Sequence, residues 1–197
     1  MRTIDRIQYA ANLARGKRVL DIGGQKMPGC NLASPFAKAY KGINDSAREY
    51  KIVDYQQSPE VDYIIDLNTT DGVTAIREVL DEYQPEVILC METLEHINYH
   101  FECMNQMAYA VRRYKSVVFV TIPNNGNWVF NALGWNHDHC VAFYRAIAHR
   151  FVTRSDLGRH DVKPLACMQK YMWYWRVVYL LSFGQPFSWG FVIRPKL

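Results

Sequence analysis

The run Arg18-Val19-Leu20-Asp21-Ile22-Gly23-Gly24 constrains this chain more than any other. Its apolar stretch has strand length, and it runs straight into a pair of glycines. Glycine reaches backbone conformations closed to other residues and lets a ligand come close to main-chain amides. In an open α/β sheet the ligand crevice lies just beyond the carboxyl ends of the strands. Asp21 places an acid near that end. The pattern predicts a nucleotide-like cofactor held over the turn.

The same alternation continues along the chain. Thr3 is placed to cap a helix in which Ile4, Ile7, Ala11 and Ala14 share one face, and Gly16 to end it. After the strand at 18–22, residues 23–49 are irregular except for a short helix around Ser34 to Tyr40, where Pro35 suits the first helical position. Tyr50 to Val53 and Val61 to Leu67 read as the next two strands. Asp71 then caps a helix with Val73, Ile76, Leu80 and Tyr83 facing inward. Glu86 to Cys90 is almost wholly apolar, as a strand covered on both faces should be. Phe101, Met104, Ala108 and Val111 mark a further helix, with Arg112, Arg113 and Lys115 near its negative end. Ser116 to Ile122 is a fifth strand. Strands alternating with helices imply parallel βαβ units, hence an α/β, Rossmann-like, doubly wound sheet with helices on both faces. Beyond Pro123 the expectations are a helix over Ala142 to Leu157 stopped by Gly158, a sixth strand over Asp161 to Met168 and a last one over Trp189 to Arg194. Tyr171 to Phe183 fits either an aromatic helix or a strand.

Size and composition narrow the class. The 197 residues suit one domain with a substantial core, and 49% hydrophobic with 21% charged residues is an ordinary globular balance. The net charge of +4 is mild and scattered, which does not point to nucleic acid. The 5 cysteines are odd in number and form no C-x-x-C pair, so a reducing, cytoplasmic setting is expected. Residues 1–14 carry charges and lack an apolar core, unlike a signal peptide, and no apolar run is long enough to span a membrane.

Val19-Leu20-Asp21-Ile22-Gly23-Gly24 resembles the first motif of the class I S-adenosylmethionine-dependent methyltransferases, V-L-D-hydrophobic-G-x-G-x-G. Asp21, Gly23 and Gly24 fall on motif positions, while Gln25 stands where the second glycine usually does. Lys26-Met27-Pro28-Gly29 resembles the proline-containing loop of a subset of the family. A dinucleotide dehydrogenase is a poorer match, because G-x-G-x-x-G needs glycine where Gln25 stands. Three further segments match in order. Asp54 ends the second strand, where the resemblance implies a carboxylate on the ribose hydroxyls. Asp66-Leu67 follows the third, at the position that reads adenine. Met91-Glu92-Thr93-Leu94-Glu95-His96 resembles the motif after the fourth strand in members acting on quinone precursors, sugars and other small molecules.

The resemblance thus implies S-adenosylmethionine as cofactor, bound by Asp21, Gly23, Gly24, Gln25, Asp54, Asp66, Leu67, Met91 and Glu92. It implies a mostly parallel seven-stranded sheet whose last strand enters antiparallel between the fifth and sixth, as Gly190 to Lys196 resembles. Residues 17–125 would form the cofactor-binding core of a single domain, and 126–197 its substrate side. Methyl transfer to an oxygen or nitrogen of a small-molecule, sugar or lipid-linked acceptor would follow. His96 and His139 are the acid-base candidates, with Glu95, Asn124 and Tyr144 on the acceptor side. Thr121-Ile122-Pro123-Asn124 is not the N-P-P-Y box of amino-directed DNA methyltransferases, and no Pro-Cys nucleophile follows the fourth strand. Trp135 to Cys140 holds metal-binding residue types, but H-x-H-C in one short run gives poor tetrahedral geometry, so no metal is expected. The aromatic residues from Tyr171 to Phe191 read chiefly as core, with an acceptor pocket, a homodimer face or a peripheral membrane contact left open. A cofactor-binding module without turnover and a nucleotide-dependent oxidoreductase remain the alternatives.

Overall fold

The computed structural model describes residues 3–24, 35–127, 145–168 and 185–196. Its centre is an eight-stranded sheet. In chain order the elements are β1 (Thr3–Asp5), α1 (Arg6–Ala14), β2 (Arg18–Ile22), α2 (Pro35–Ser46), β3 (Glu49–Asp54), β4 (Tyr63–Ile64), α3 (Thr70–Tyr83), β5 (Val87–Met91), α4 (His100–Tyr114), β6 (Val117–Pro123), α5 (Arg145–Arg154), β7 (Asp161–Met168) and β8 (Ser188–Arg194). Short 3-10 turns at Leu94–His96 and Asp156–Arg159 follow β5 and α5. Across the sheet the strands run β1-β7-β8-β6-β5-β2-β3-β4. β8 lies antiparallel to both β6 and β7, and the other neighbours are parallel. This is the Rossmann-like, mostly parallel arrangement expected, including the late antiparallel insertion.

The central strands form because their residues are apolar on both faces. Val19, Leu20, Ile22, Val87, Ile88, Leu89, Val118, Phe119 and Val120 are all buried. One face carries Ile7, Ala10 and Ala14 of α1 with Ile43 of α2. The other carries Ile76 and Leu80 of α3, Met104, Met107 and Val111 of α4, and Ala148 and Val152 of α5. Fully burying such a side chain contributes roughly 1.5–3 kcal/mol. Phe187, Trp189 and Phe191 are buried in this core, which is where the aromatic C-terminal region was expected to pack. Tyr171 to Phe183 lies outside the described residues.

Several local expectations are corrected. Thr3 does not cap the first helix. It opens β1, an eighth strand paired with Ala166 to Met168 of β7, and Asp5 caps instead by accepting from the amides of Ile7 and Gln8. Ile4 therefore sits in a strand. The third predicted strand shrinks to Tyr63–Ile64, because Asp62 and Asp66 turn their side chains onto the amides of Ile52 and Asn68 at either end. Thr69, not Asp71, caps α3. Phe101 is 42% exposed rather than inward. The helix predicted over Ala142 to Leu157 stops at Arg154, where Ser155 caps a separate turn containing Gly158. Among the described residues no helix is long and apolar enough to cross a membrane.

Candidate functional site

Strand order reverses beside β2. The chain leaves β2 for β3 and β4 on one side and returns to β5 on the other. Such a switch point opens a crevice at the carboxyl ends of the two strands, and ligands of α/β sheets bind there. Gly23 and Gly24 close β2 at this crevice. Gly23 takes φ +75 and donates its amide to the Val53 carbonyl at 2.8 Å. A Cβ at Gly23 would run into the Thr93 side chain, 2.5 Å from its hydroxyl oxygen, and one at Gly24 would lie 2.5 Å from an Asp21 carboxylate oxygen. Thr93, just past β5, donates its hydroxyl to the Ile22 carbonyl at 3.1 Å and so ties the two strand ends together. Gly23 is required by its positive φ and by the closeness of Thr93 beyond β5, whereas a Cβ at Gly24 would crowd the Asp21 side chain of β2 itself.

Asp21 is fully buried beneath the turn and accepts a short hydrogen bond from the Tyr50 hydroxyl on β3. Burial raises its pKa from 3.8 to about 7, the Tyr50 bond opposes the rise, and the Asp54 charge adds to it. Asp21 therefore supports the turn from below. Asp54 is half-buried at the end of β3, and its Oδ1 accepts from the Gln56 amide at 3.0 Å. Its second carboxylate oxygen has no partner among the described residues. Asp66 is exposed and spends one oxygen on the Asn68 amide at 2.9 Å, while Leu67 is buried in the core. Asn68 in turn accepts from the Asn98 amide at 2.8 Å, joining the segment after β4 to the segment after β5.

The far side of the crevice is built from the end of β5. Met91 is buried and Glu92 adopts a left-handed conformation, φ +56, with its amide donated to the Thr121 carbonyl at 2.9 Å. Arg6, at the start of α1, reaches Glu92 with a 2.7 Å ion pair and the Ser188 hydroxyl of β8 at 3.3 Å. Nothing in the motifs pointed to Arg6. The signal present was positional, since Arg6 precedes Ala10 and Ala14 at steps of four on the buried face of α1. Glu95 is wholly buried, and neither carboxylate oxygen has a hydrogen-bond partner among the described residues. Burial raises its pKa well above 4.5; the nearby Glu92 charge adds to this, and Arg6 opposes it. The Thr121 hydroxyl is likewise buried without a partner among the described residues. His96 ends the 3-10 turn with its ring outward, 46% exposed and 3.9 Å from Glu95.

Asn124 is placed differently. Its side chain donates to the Pro186 carbonyl at 2.9 Å and accepts from the Gly126 amide at 3.1 Å, pinning the segment before β8 to the end of β6. Gln25, the Lys26 to Gly29 loop, Trp135 to Cys140 with His139, and Tyr144 lie outside the described residues. Among the described residues no group of three or more potential metal ligands occurs. Cys90, Cys103 and Cys167 are buried, and burial holds the Cys103 and Cys167 thiols up near 12, so none is a ready nucleophile.

The glycine turn, the Asp54 carboxylate and the buried polar groups of Glu95 and Thr121, which lack hydrogen-bond partners among the described residues, line one crevice at the β2, β3, β5 and β6 ends. Comparison with solved structures agrees on the fold. A chain of the complex between the Haloferax volcanii Trm112 methyltransferase activator and its methyltransferase aligns with TM-score 0.56 at 11% identity, over 96% of this chain and 88% of that one. An S-adenosylmethionine-dependent methyltransferase from Mesorhizobium loti aligns at 0.52 and 8% identity, over 95% of each chain. A Rhodobacter sphaeroides protein described as a Zn-dependent alcohol dehydrogenase aligns at 0.57 and 9% identity, over 100% of this chain and 92% of that one. This chain has the fold of the class I methyltransferases. No sequence-family model and no curated protein sequence matches it.

Proposed function

We propose that the protein is an S-adenosylmethionine-dependent methyltransferase acting on an oxygen, or a nitrogen, of a small-molecule, sugar or lipid-linked acceptor. The observation that carries this reading is the switch-point crevice, where Gly23 in its left-handed conformation and Asp54 stand at neighbouring strand ends. Asp54 would hold the ribose hydroxyls, Gly23, Gly24 and Gln25 would line the methionine portion with Met91 and Glu92, and Asp66-Leu67 would flank the adenine. The Asp66 oxygen already bound to Asn68 favours the Leu67 side of that pair for base contact. When bound, S-adenosylmethionine supplies an electrophilic methyl group on a sulfonium. The chain's own part is to align the acceptor, exclude water and take up a proton from a hydroxyl acceptor. His96, exposed beside buried Glu95, is a candidate for that proton, and His139 a second.

The alternatives keep specific support. The Rhodobacter sphaeroides neighbour's description favours testing an oxidoreductase, and the departure at Gln25 favours testing a module without turnover. Calorimetric titration with S-adenosylmethionine, S-adenosylhomocysteine and NAD separates the readings. Binding of the first two but not NAD, followed by methyl transfer to an acceptor pool, supports the proposal. Preference for NAD would overturn it, and cofactor binding with no transfer would leave the module.

A further inference from the structure

Two costly features meet at one bond on the ligand side of the sheet. The Arg6 side chain is charged and only 5% exposed, and burying a charge is costly unless it is paired. Glu92 holds φ +56, a conformation that costs free energy in any residue with a side chain. Among the described residues the other left-handed ones with side chains, Gln84 and Lys115, cap the carboxyl ends of α3 and α4, a position that favours this conformation. Glu92 caps no helix. Its side chain remains 24% exposed while Arg6 holds its Oε1. An apolar residue at position 6 would bury the same face of α1 beside Ile7 and Ala10 without the charge.

We infer that Arg6 is a positioning residue: it fixes Glu92 so that this carboxylate meets the cationic α-amino end of the methionine portion. The inference rests on the methyltransferase reading and extends the site to the N-terminal unit formed by β1 and α1. Pairing of β1 with β7 sets the start of α1 at the carboxyl end of the sheet, so Arg6 arrives beside Glu92 and Ser188. Glu92 thus carries one fixed cation from the protein and offers the rest of its charge to a second, exchangeable one. The ligand class it fits is a cationic amine carried on a nucleoside.

The test compares two ligands that share the adenosine and differ in that end. Calorimetry measures S-adenosylhomocysteine, which has the amino-acid end, and 5′-methylthioadenosine, which lacks it, against wild type, Arg6→Met, Arg6→Lys and Glu92→Gln. Arg6→Met and Glu92→Gln should each weaken S-adenosylhomocysteine tenfold or more and leave 5′-methylthioadenosine within twofold. Arg6→Lys should recover most of the loss. Where Arg6→Met fails to fold, Arg6→Lys and Glu92→Gln carry the comparison. Equal losses for both ligands, or none, would overturn the role of Arg6 while leaving the methyltransferase reading intact. Failure of wild type to bind either ligand would overturn that reading, and this inference with it.

Discussion

The two ends of the sheet treat charge in opposite ways. At the amino ends of the strands, Glu86 is met by Lys17 at 2.9 Å and Arg48 at 2.8 Å, with every partner partly exposed. Gln84 and Lys115 turn left-handed there as helix caps. At the carboxyl ends, Asp21 and Glu95 are buried, Arg6 is buried against Glu92, and the left-handed conformation of Glu92 serves no cap. At the first end the Glu86 ion pairs are open to solvent and the left-handed residues close helices. The second keeps features that cost stability, and such features collect where a ligand is to be held.

Acidity gives the largest contrast. The folded protein holds Asp21 protonated up to about pH 7, whereas the unfolded chain releases that proton near 3.8. The stabilisation from this proton is full below about pH 4 and is lost as the pH rises towards 7, an effect on the order of 4 kcal/mol. Urea midpoints measured from pH 4 to 8 should fall accordingly in wild type, with the fall reduced in Asp21→Asn. Glu95, also raised, acts in the same direction. An Asp21→Asn slope equal to wild type would show that Asp21 is already ionised beneath the turn.

Glycine gives a smaller contrast at matched geometry. Gly23 and Gly16 have φ +75 and +69, but a Cβ on Gly23 meets Thr93 and one on Gly16 meets nothing within 4 Å. Gly23→Ala should destabilise by roughly 2–4 kcal/mol, from strain and overpacking together, and Gly16→Ala by ~1–2 from strain alone. Equal losses in denaturant unfolding would mean that Thr93 yields and that the crevice is less rigid than drawn.

The smallest effect belongs to Glu86. Replacing it with Gln should cost about 1 kcal/mol or less, and the cost should shrink in high salt, because its ion pairs are partly exposed. A larger, salt-insensitive loss would erase the distinction between the two ends.

The sequence made the frame readable where the physics is local. β2, β5 and β6 are short apolar runs, and Val73, Ile76, Leu80 and Tyr83 recur at helical spacing and are all buried. The partner of Thr3–Asp5 lies at Ala166 to Met168, and no local pattern reports a pairing across the whole chain. The placement of Asp54 and of the glycine turn was legible because each follows from a strand end. Arg6 was hidden because it precedes the motifs and reaches them only through the fold. The engagement of Asn124 with Pro186 was hidden for the same reason.

On the proposed function, the carboxyl end of this sheet binds an adenosyl cofactor through Asp54. Calorimetric titration of S-adenosylhomocysteine into wild type and Asp54→Ala, with thermal midpoints recorded beside it, tests this most directly. A hydrogen bond to a charged group is worth about 1.5–3 kcal/mol, so the variant should bind tenfold or more weakly, while the midpoint shifts only by the loss of the Gln56 amide bond and the variant stays folded at the titration temperature. A dissociation constant the same as wild type, or no binding by wild type, would contradict the account.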